Sequence, residues 1–70
     1  GLPNSLTGPI ARGDTGTVQK HLVALRERAP ELLPAYEELG RQTIPIALAK
    51  GKIDKEKANE LNAILSQPGR

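Results

Sequence analysis

Apolar side chains recur at helical spacing along most of this 70-residue chain. In the clearest run, the later apolar residues follow the first by four, seven and eleven positions, which places them on one helix face. These residues are Val18, Leu22, Leu25 and Ala29. The spacing predicts an all-α fold in which each helix turns one apolar stripe inward.

Capping and turn residues set the predicted boundaries. Residues 1–13 are rich in Gly, Pro, Asn and Ser and are expected to form mainly a connecting segment, with room for one short helical turn around residues 6–11. Asp14 and Asp54 are candidate N-caps, because a carboxylate can accept the free amides of a first helical turn. Pro30 favours a helix start, and Gly51 a helix end. The three predicted helices cover residues 14–29, 30–51 and 54–66.

The middle helix is predicted to be the longest and to be kinked near Pro45. A proline inside a helix has no amide hydrogen and crowds the carbonyl group four residues earlier, here that of Arg41. Gly40, just before it, would allow close approach of another backbone. The apolar stripe of this helix is broad and comprises Leu32, Leu33, Tyr36, Leu39, Thr43, Ile44, Ala47 and Leu48, with Ile46 to one side.

The composition limits what such a fold can do alone. A chain of this size buries only about 60% of its unfolded surface. It has no cysteine and one aromatic residue, so its core must be aliphatic and thin, with no disulfide to stabilise it. We therefore expect a partner surface, either in a homodimer or higher homo-oligomer or in the rest of a longer chain. The chain starts at Gly1 and contains no methionine, which favours a fragment, a processed product or a remnant of a tag over a native start.

The charge pattern argues against nucleic acid and membrane partners. The net charge is +2, and acidic residues are interspersed among the basic ones. A nucleic-acid-binding face usually concentrates Lys and Arg and often carries aromatic residues. The sequence has neither a run of about 20 apolar residues nor a signal-peptide pattern, so we expect a cytoplasmic protein.

Five polar residues near the N-terminus are the candidate site: Thr7, Arg12, Asp14, Thr17 and His21. Arg12 could bind an anionic group through its forked guanidinium, or it could pair with a carboxylate. His21 could be a general acid or base, because its ordinary pKa lies near 6.5, or a hydrogen-bonded structural residue. Thr7 could contact a ligand or belong to a local turn. No zinc-type ligand set and no glycine-rich dinucleotide motif is present.

The same stretch carries a resemblance to a known family. The chain resembles the C-terminal helical domain, catalogued as a domain of unknown function, of Rossmann-like NAD(P)-binding oxidoreductases. That family is similar to ketopantoate reductase, pyrroline-5-carboxylate reductase and the C-terminal domain of 6-phosphogluconate dehydrogenase. The resemblance is carried by Leu6-Thr7-Gly8-Pro9-Ile10-Ala11-Arg12-Gly13-Asp14, then Thr17-Val18, His21-Leu22, Leu25, Pro30-Glu31-Leu32, Tyr36 and Leu39.

The resemblance implies a role within a larger enzyme. The chain would be part of a 6-phosphogluconate dehydrogenase C-terminal-like helical domain, and an upstream Rossmann domain would supply NAD(P). The domain would form one side of the cleft for an unidentified small-molecule substrate and part of a dimer interface. His21 and Asp14 would be the catalytic candidates, and Thr7, Arg12 and Thr17 the substrate-binding ones. With the nucleotide-binding domain missing, the chain would not be catalytic alone.

A second hypothesis needs no chemistry. The chain would be a helical protein–protein interaction module whose apolar stripe binds a partner helix. The stripe in question comprises Leu32, Tyr36, Leu39 and Thr43.

Overall fold

Four α-helices build the fold in the computed structural model, which describes residues 4–66, with side chains from residue 6 onward. They are α1 (Asn4–Arg12), α2 (Thr15–Arg28), α3 (Leu33–Ala49) and α4 (Lys55–Leu65). A 3-10 turn, Pro30–Leu32, precedes α3. No strand occurs within the described residues, so the predicted all-α class is confirmed, while the predicted count of three helices is wrong.

The additional helix is α1, which lies in the segment expected to be a connection. Gly8 and Pro9 suggested turns, but both lie inside the helix. Tertiary packing outweighs their weak propensity, because α1 lies against α3 and Ile10 is completely buried. The prediction for residues 1–3 falls outside the described part of the chain.

Two glycines end helices in the left-handed conformation. Gly13 has φ +72°. Its amide donates to the carbonyl oxygen of Ile10 at 3.1 Å, and the amide of Asp14 donates to the carbonyl oxygen of Pro9 at 2.8 Å. This pair of bonds is the Schellman motif, which satisfies the last carbonyl groups of a helix. Gly51, with φ +74°, ends α3 in the same way, as its position predicted.

The long middle helix differs from its prediction at its start. The first residues after Pro30 form a 3-10 turn, so α3 begins at Leu33 and Pro34 lies in its first turn. The helix continues through Pro45 to Ala49. A helix can bend without interruption, so the kink expected near Pro45 stays a prediction.

A core of aliphatic side chains and Tyr36 joins the four helices. Helix α4 runs back along α3, because Leu65 at its end lies against Gly40. A side chain, and not the backbone expected there, makes this close approach. The buried core residues are Ile10, Val18, Leu22, Leu33, Tyr36, Ile44, Ala47, Ile53, Ala58, Leu61, Ile64 and Leu65. Ile46 is 56% exposed, as its position beside the stripe predicted.

Among the described helices, none combines the length and the apolar character needed to cross a membrane.

Candidate functional site

Three of the five candidate residues meet where α1 joins α2. The predicted N-cap at Asp14 is confirmed: one carboxylate oxygen accepts the backbone amide of Thr17 at 3.2 Å. The other accepts the hydroxyl group of Thr17 at 2.8 Å. Arg12 places a guanidinium nitrogen 3.9 Å from that second oxygen. Arg12, Gly13 and Asp14 therefore form the junction between two helices. Arg12 is the last residue of α1, Gly13 has the left-handed conformation, and Asp14 caps α2.

The electrostatics of this junction favour the ionised carboxylate. The hydroxyl hydrogen bond from Thr17 is the main cause that lowers the pKa of Asp14, and the amide of Thr17 lowers it further. The positive charges of Arg12 and Lys20 act in the same direction. Asp14 therefore stays ionised at neutral pH and serves as a hydrogen-bond acceptor.

His21 lies on α2, one helical turn after Thr17, and is half-buried. Its Nδ1 atom is 3.2 Å from the hydroxyl oxygen of Tyr36 on α3. The two rings meet edge to face, with centroids 6.0 Å apart and an interplanar angle of 79°. Tyr36 is 5% exposed, and this burial raises the pKa of its hydroxyl group above its ordinary value. The tyrosine is thus neutral over the physiological range.

An apolar groove borders the His21–Tyr36 pair. Its volume is about 330 Å³, and Tyr36 forms part of its wall. We call it the Tyr36 groove; its residues are Leu6, Leu25, Leu32, Ala35, Tyr36 and Leu39. Leu32, the last residue of the 3-10 turn, is 52% exposed.

Thr7 lies on α1, before the junction at which Arg12, Asp14 and Thr17 meet. It is half-buried on α1, about 7 Å along the helix axis from Arg12. No hydrogen bond connects it to Arg12, Asp14, Thr17 or His21 within the described residues. The structure therefore places four of the five predicted residues along α2 and its N-terminal junction, and Thr7 on α1.

Two features of the described residues concern metal and phosphate binding. No group of three or more His, Cys, Asp or Glu side chains is close enough to hold a metal there. Dinucleotide pyrophosphates bind at helix N-termini. Here the carboxylates of Asp14 and Asp54 occupy the N-termini of α2 and α4, accepting amides of Thr17 and Lys57. An anionic phosphate would meet a carboxylate at each of them.

Tyr36 was expected only as part of the apolar stripe, and its polar role was missed. Its partner His21 is fifteen residues away along the chain, and helical spacing does not reveal contacts at that separation. One signal was available: a tyrosine in an aliphatic stripe usually finds a hydrogen-bond partner for its hydroxyl group when buried. His21 is the one histidine of the chain and was the natural candidate.

The fold and its polar junction define a small helical domain. The chain belongs to the family described as Domain of unknown function (DUF2520), whose model matches residues 1–43, more than half of the chain. The matched part includes α1, α2, the Tyr36 groove and all five candidate residues. No curated protein and no solved structure matches the chain.

Proposed function

We propose that this chain is the helical part of an NAD(P)-dependent oxidoreductase, where it forms one wall of the substrate cleft and an association surface. The observation that carries the proposal is the His21–Tyr36 hydrogen bond at the edge of the Tyr36 groove. Small-molecule sites are concave and mostly apolar, with a few placed polar groups. The groove supplies the apolar wall, and the imidazole of His21 supplies the candidate general acid or base.

Arg12 is available for an anionic group of the substrate. Its side chain is 64% exposed, and its distance of 3.9 Å from Asp14 is longer than a hydrogen bond. The guanidinium group can therefore turn its donors toward a carboxylate without losing a short contact. Asp14 and Thr17 fix the α1–α2 junction that carries Arg12, so their proposed part is positioning as well as hydrogen bonding.

The nucleotide must be held elsewhere under this proposal. The capped N-termini of α2 and α4 do not suit its phosphates, so we assign cofactor binding to a separate Rossmann domain of the same cytoplasmic protein. The resemblance of residues from Leu6 to Leu39 to the helical domain of such enzymes supports this assignment. Under this proposal the present chain supplies the apolar wall, the cation of Arg12 and the imidazole of His21, and it does not catalyse the reaction by itself.

A second function is favoured by the exposure of Leu32. A half-exposed leucine in an apolar groove is typical of an interaction surface. The chain could serve purely to bring two protein chains together through the Tyr36 groove. The two functions differ in what they require of the polar residues, since association alone uses neither Arg12 nor His21.

Steady-state kinetics of the native gene product separate the two. NADPH oxidation would be followed with a panel of small oxo acids. Arg12→Ala should raise KM for an active acid about tenfold or more, because a charge-assisted bond is lost. Arg26→Ala removes an exposed arginine elsewhere on α2 and is the matched control. Equal kinetics for the two variants would exclude the ligand role of Arg12.

Self-association is tested with Leu32→Asp. Sedimentation velocity should show loss of the dimer for Leu32→Asp and its retention for Ile46→Asp, which alters an equally exposed apolar residue outside the groove. One pair of results would make the interaction module the function. Substitution of the polar candidates would leave turnover unchanged, and Leu32→Asp would abolish association.

A further inference from the structure

A second groove lies between α3 and α4, on a different set of α3 residues from the Tyr36 groove. Its volume is about 510 Å³. One wall comes from α3, with Arg41, Pro45 and Leu48, and the other from α4, with Lys55, Asn59 and Asn62. Each wall repeats at helical intervals of three or four residues, so each presents one continuous helix face. The buried side chains of Ile44 and Ala58 also line the groove.

From this arrangement we infer that the α3–α4 groove binds an acidic, extended peptide segment of a partner protein. The inference does not depend on the proposed function. All of its lining residues except Arg41 lie beyond residue 43, outside the part of the chain that defines the family.

The charges of the groove point to an acidic partner. Its lining contains two cations and no acidic residue. Arg41 is held in place by Glu38 at 3.0 Å and by the carbonyl oxygen of Leu65 at 3.5 Å. Within the described residues, Lys55 makes no ion pair or hydrogen bond through its side chain. Its positive charge is thus open to a carboxylate of the partner.

The polar groups of the groove point to an extended backbone. Asn59 and Asn62 have no side-chain partner among the described residues, and each amide can donate and accept one bond to a peptide unit. The carbonyl group of Arg41 receives no bond from the residue four positions later, because Pro45 has no amide hydrogen. A bound helix has already used its own backbone groups, whereas an extended segment offers them all.

The dimensions limit the segment to a few residues. The wall from Arg41 to Leu48 is about 10 Å long at the rise of an α-helix. An extended chain covers that length with about three residues. Leu48 and Pro45 provide apolar contact for one side chain of the segment, while Lys55 lies beside a flanking acid.

NMR titration of the 70-residue chain tests the inference. The probe is the acetylated, amidated hexapeptide Gly-Glu-Leu-Asp-Leu-Gly, and the control peptide has Gln and Asn in place of its two acids. The side-chain amide signals of Asn59 and Asn62 should shift saturably with the acidic peptide and less with the neutral one. Equal binding of both peptides, or shifts confined to the Tyr36 groove, would overturn the inference.

Variants sharpen the test. Lys55→Glu should weaken binding at least threefold, and Asn59→Ala combined with Asn62→Ala about fivefold or more. Two control variants change α2 instead: Lys20→Glu reverses a charge as Lys55→Glu does, and Gln19→Ala removes a side-chain amide. Both should leave the affinity for the acidic peptide unchanged. If the Asn59 and Asn62 signals instead moved with protein concentration alone, the groove would bind a second copy, and the inference would be wrong.

Discussion

Asp14 and Thr17 are joined by two hydrogen bonds, from the amide of Thr17 at 3.2 Å and from its hydroxyl group at 2.8 Å. The same Asp14 donates its own amide to the carbonyl oxygen of Pro9, in the last turn of α1. One residue thus ends one helix and begins the next. The Arg-Gly-Asp segment thus has a structural role in joining α1 to α2. The ligand contacts proposed for Arg12 come in addition to that role.

Asp14→Ala should lower the Tm of the chain by a few degrees, because the N-cap of α2 is lost. Asp14→Asn keeps the capping oxygen and is the matched control. The folded-state pKa of Asp14 is lowered, so its stabilisation is present above its ordinary value of 3.8 and is lost as pH falls through the lowered pKa. Circular dichroism melts from pH 7 to pH 2 should show a larger acid loss in the native chain than in Asp14→Asn, which keeps only the share of other carboxylates such as Glu38.

Gly13→Ala and Gly51→Ala separate backbone strain from crowding. Both glycines have left-handed φ, so each alanine costs about 1 kcal/mol of unfolding free energy. A Cβ at Gly51 meets nothing within 4 Å, whereas one at Gly13 would lie 2.7 Å from Cγ of Lys57. Urea denaturation should therefore show the larger loss for Gly13→Ala, and equal losses would contradict the packing of α4 on the junction.

Gly40→Ala tests the contact between α3 and α4. The new Cβ would lie 2.6 Å from a methyl carbon of Leu65 and 3.3 Å from one of Ile10, both fully buried side chains. Overpacking costs about 1–3 kcal/mol, and the gain in helix propensity returns up to about 1. We expect a net loss of about 1 kcal/mol in urea denaturation. The control Gly16→Ala, where the nearest atom is 3.9 Å away, should gain stability instead.

Tyr36→Phe should remove an alkaline loss of stability. Burial raises the folded-state pKa of Tyr36 above 10, so its stabilisation is complete below pH 10 and is lost as pH rises through the raised value. Chemical denaturation between pH 8 and pH 11.5 should show a steeper decline for the native chain than for Tyr36→Phe. At pH 7 the variant should lose about 1 kcal/mol, since His21 loses its partner. Parallel pH profiles would mean that Tyr36 is not buried as described.

Local signals in the sequence predicted much of this fold. The sequence predicted Asp14 and Asp54 as N-caps and Gly51 as the end of α3, because each of these signals depends on neighbouring residues. Helix α1 was missed, since the burial of Ile10 against α3 is a tertiary effect that outweighs Gly8 and Pro9. The grouping of Arg12, Asp14 and Thr17 followed from their spacing. The His21–Tyr36 pair did not, because it depends on how α2 lies against α3.

The proposed role as the helical part of an NAD(P)-dependent enzyme is tested most directly by cofactor binding. The native gene product and the 70-residue chain would each be titrated with NADPH and NADH by isothermal titration calorimetry. We expect saturable binding of at least one nucleotide to the gene product and none to the 70-residue chain. A gene product that binds neither nucleotide would contradict the account and leave the helical interaction module as its function.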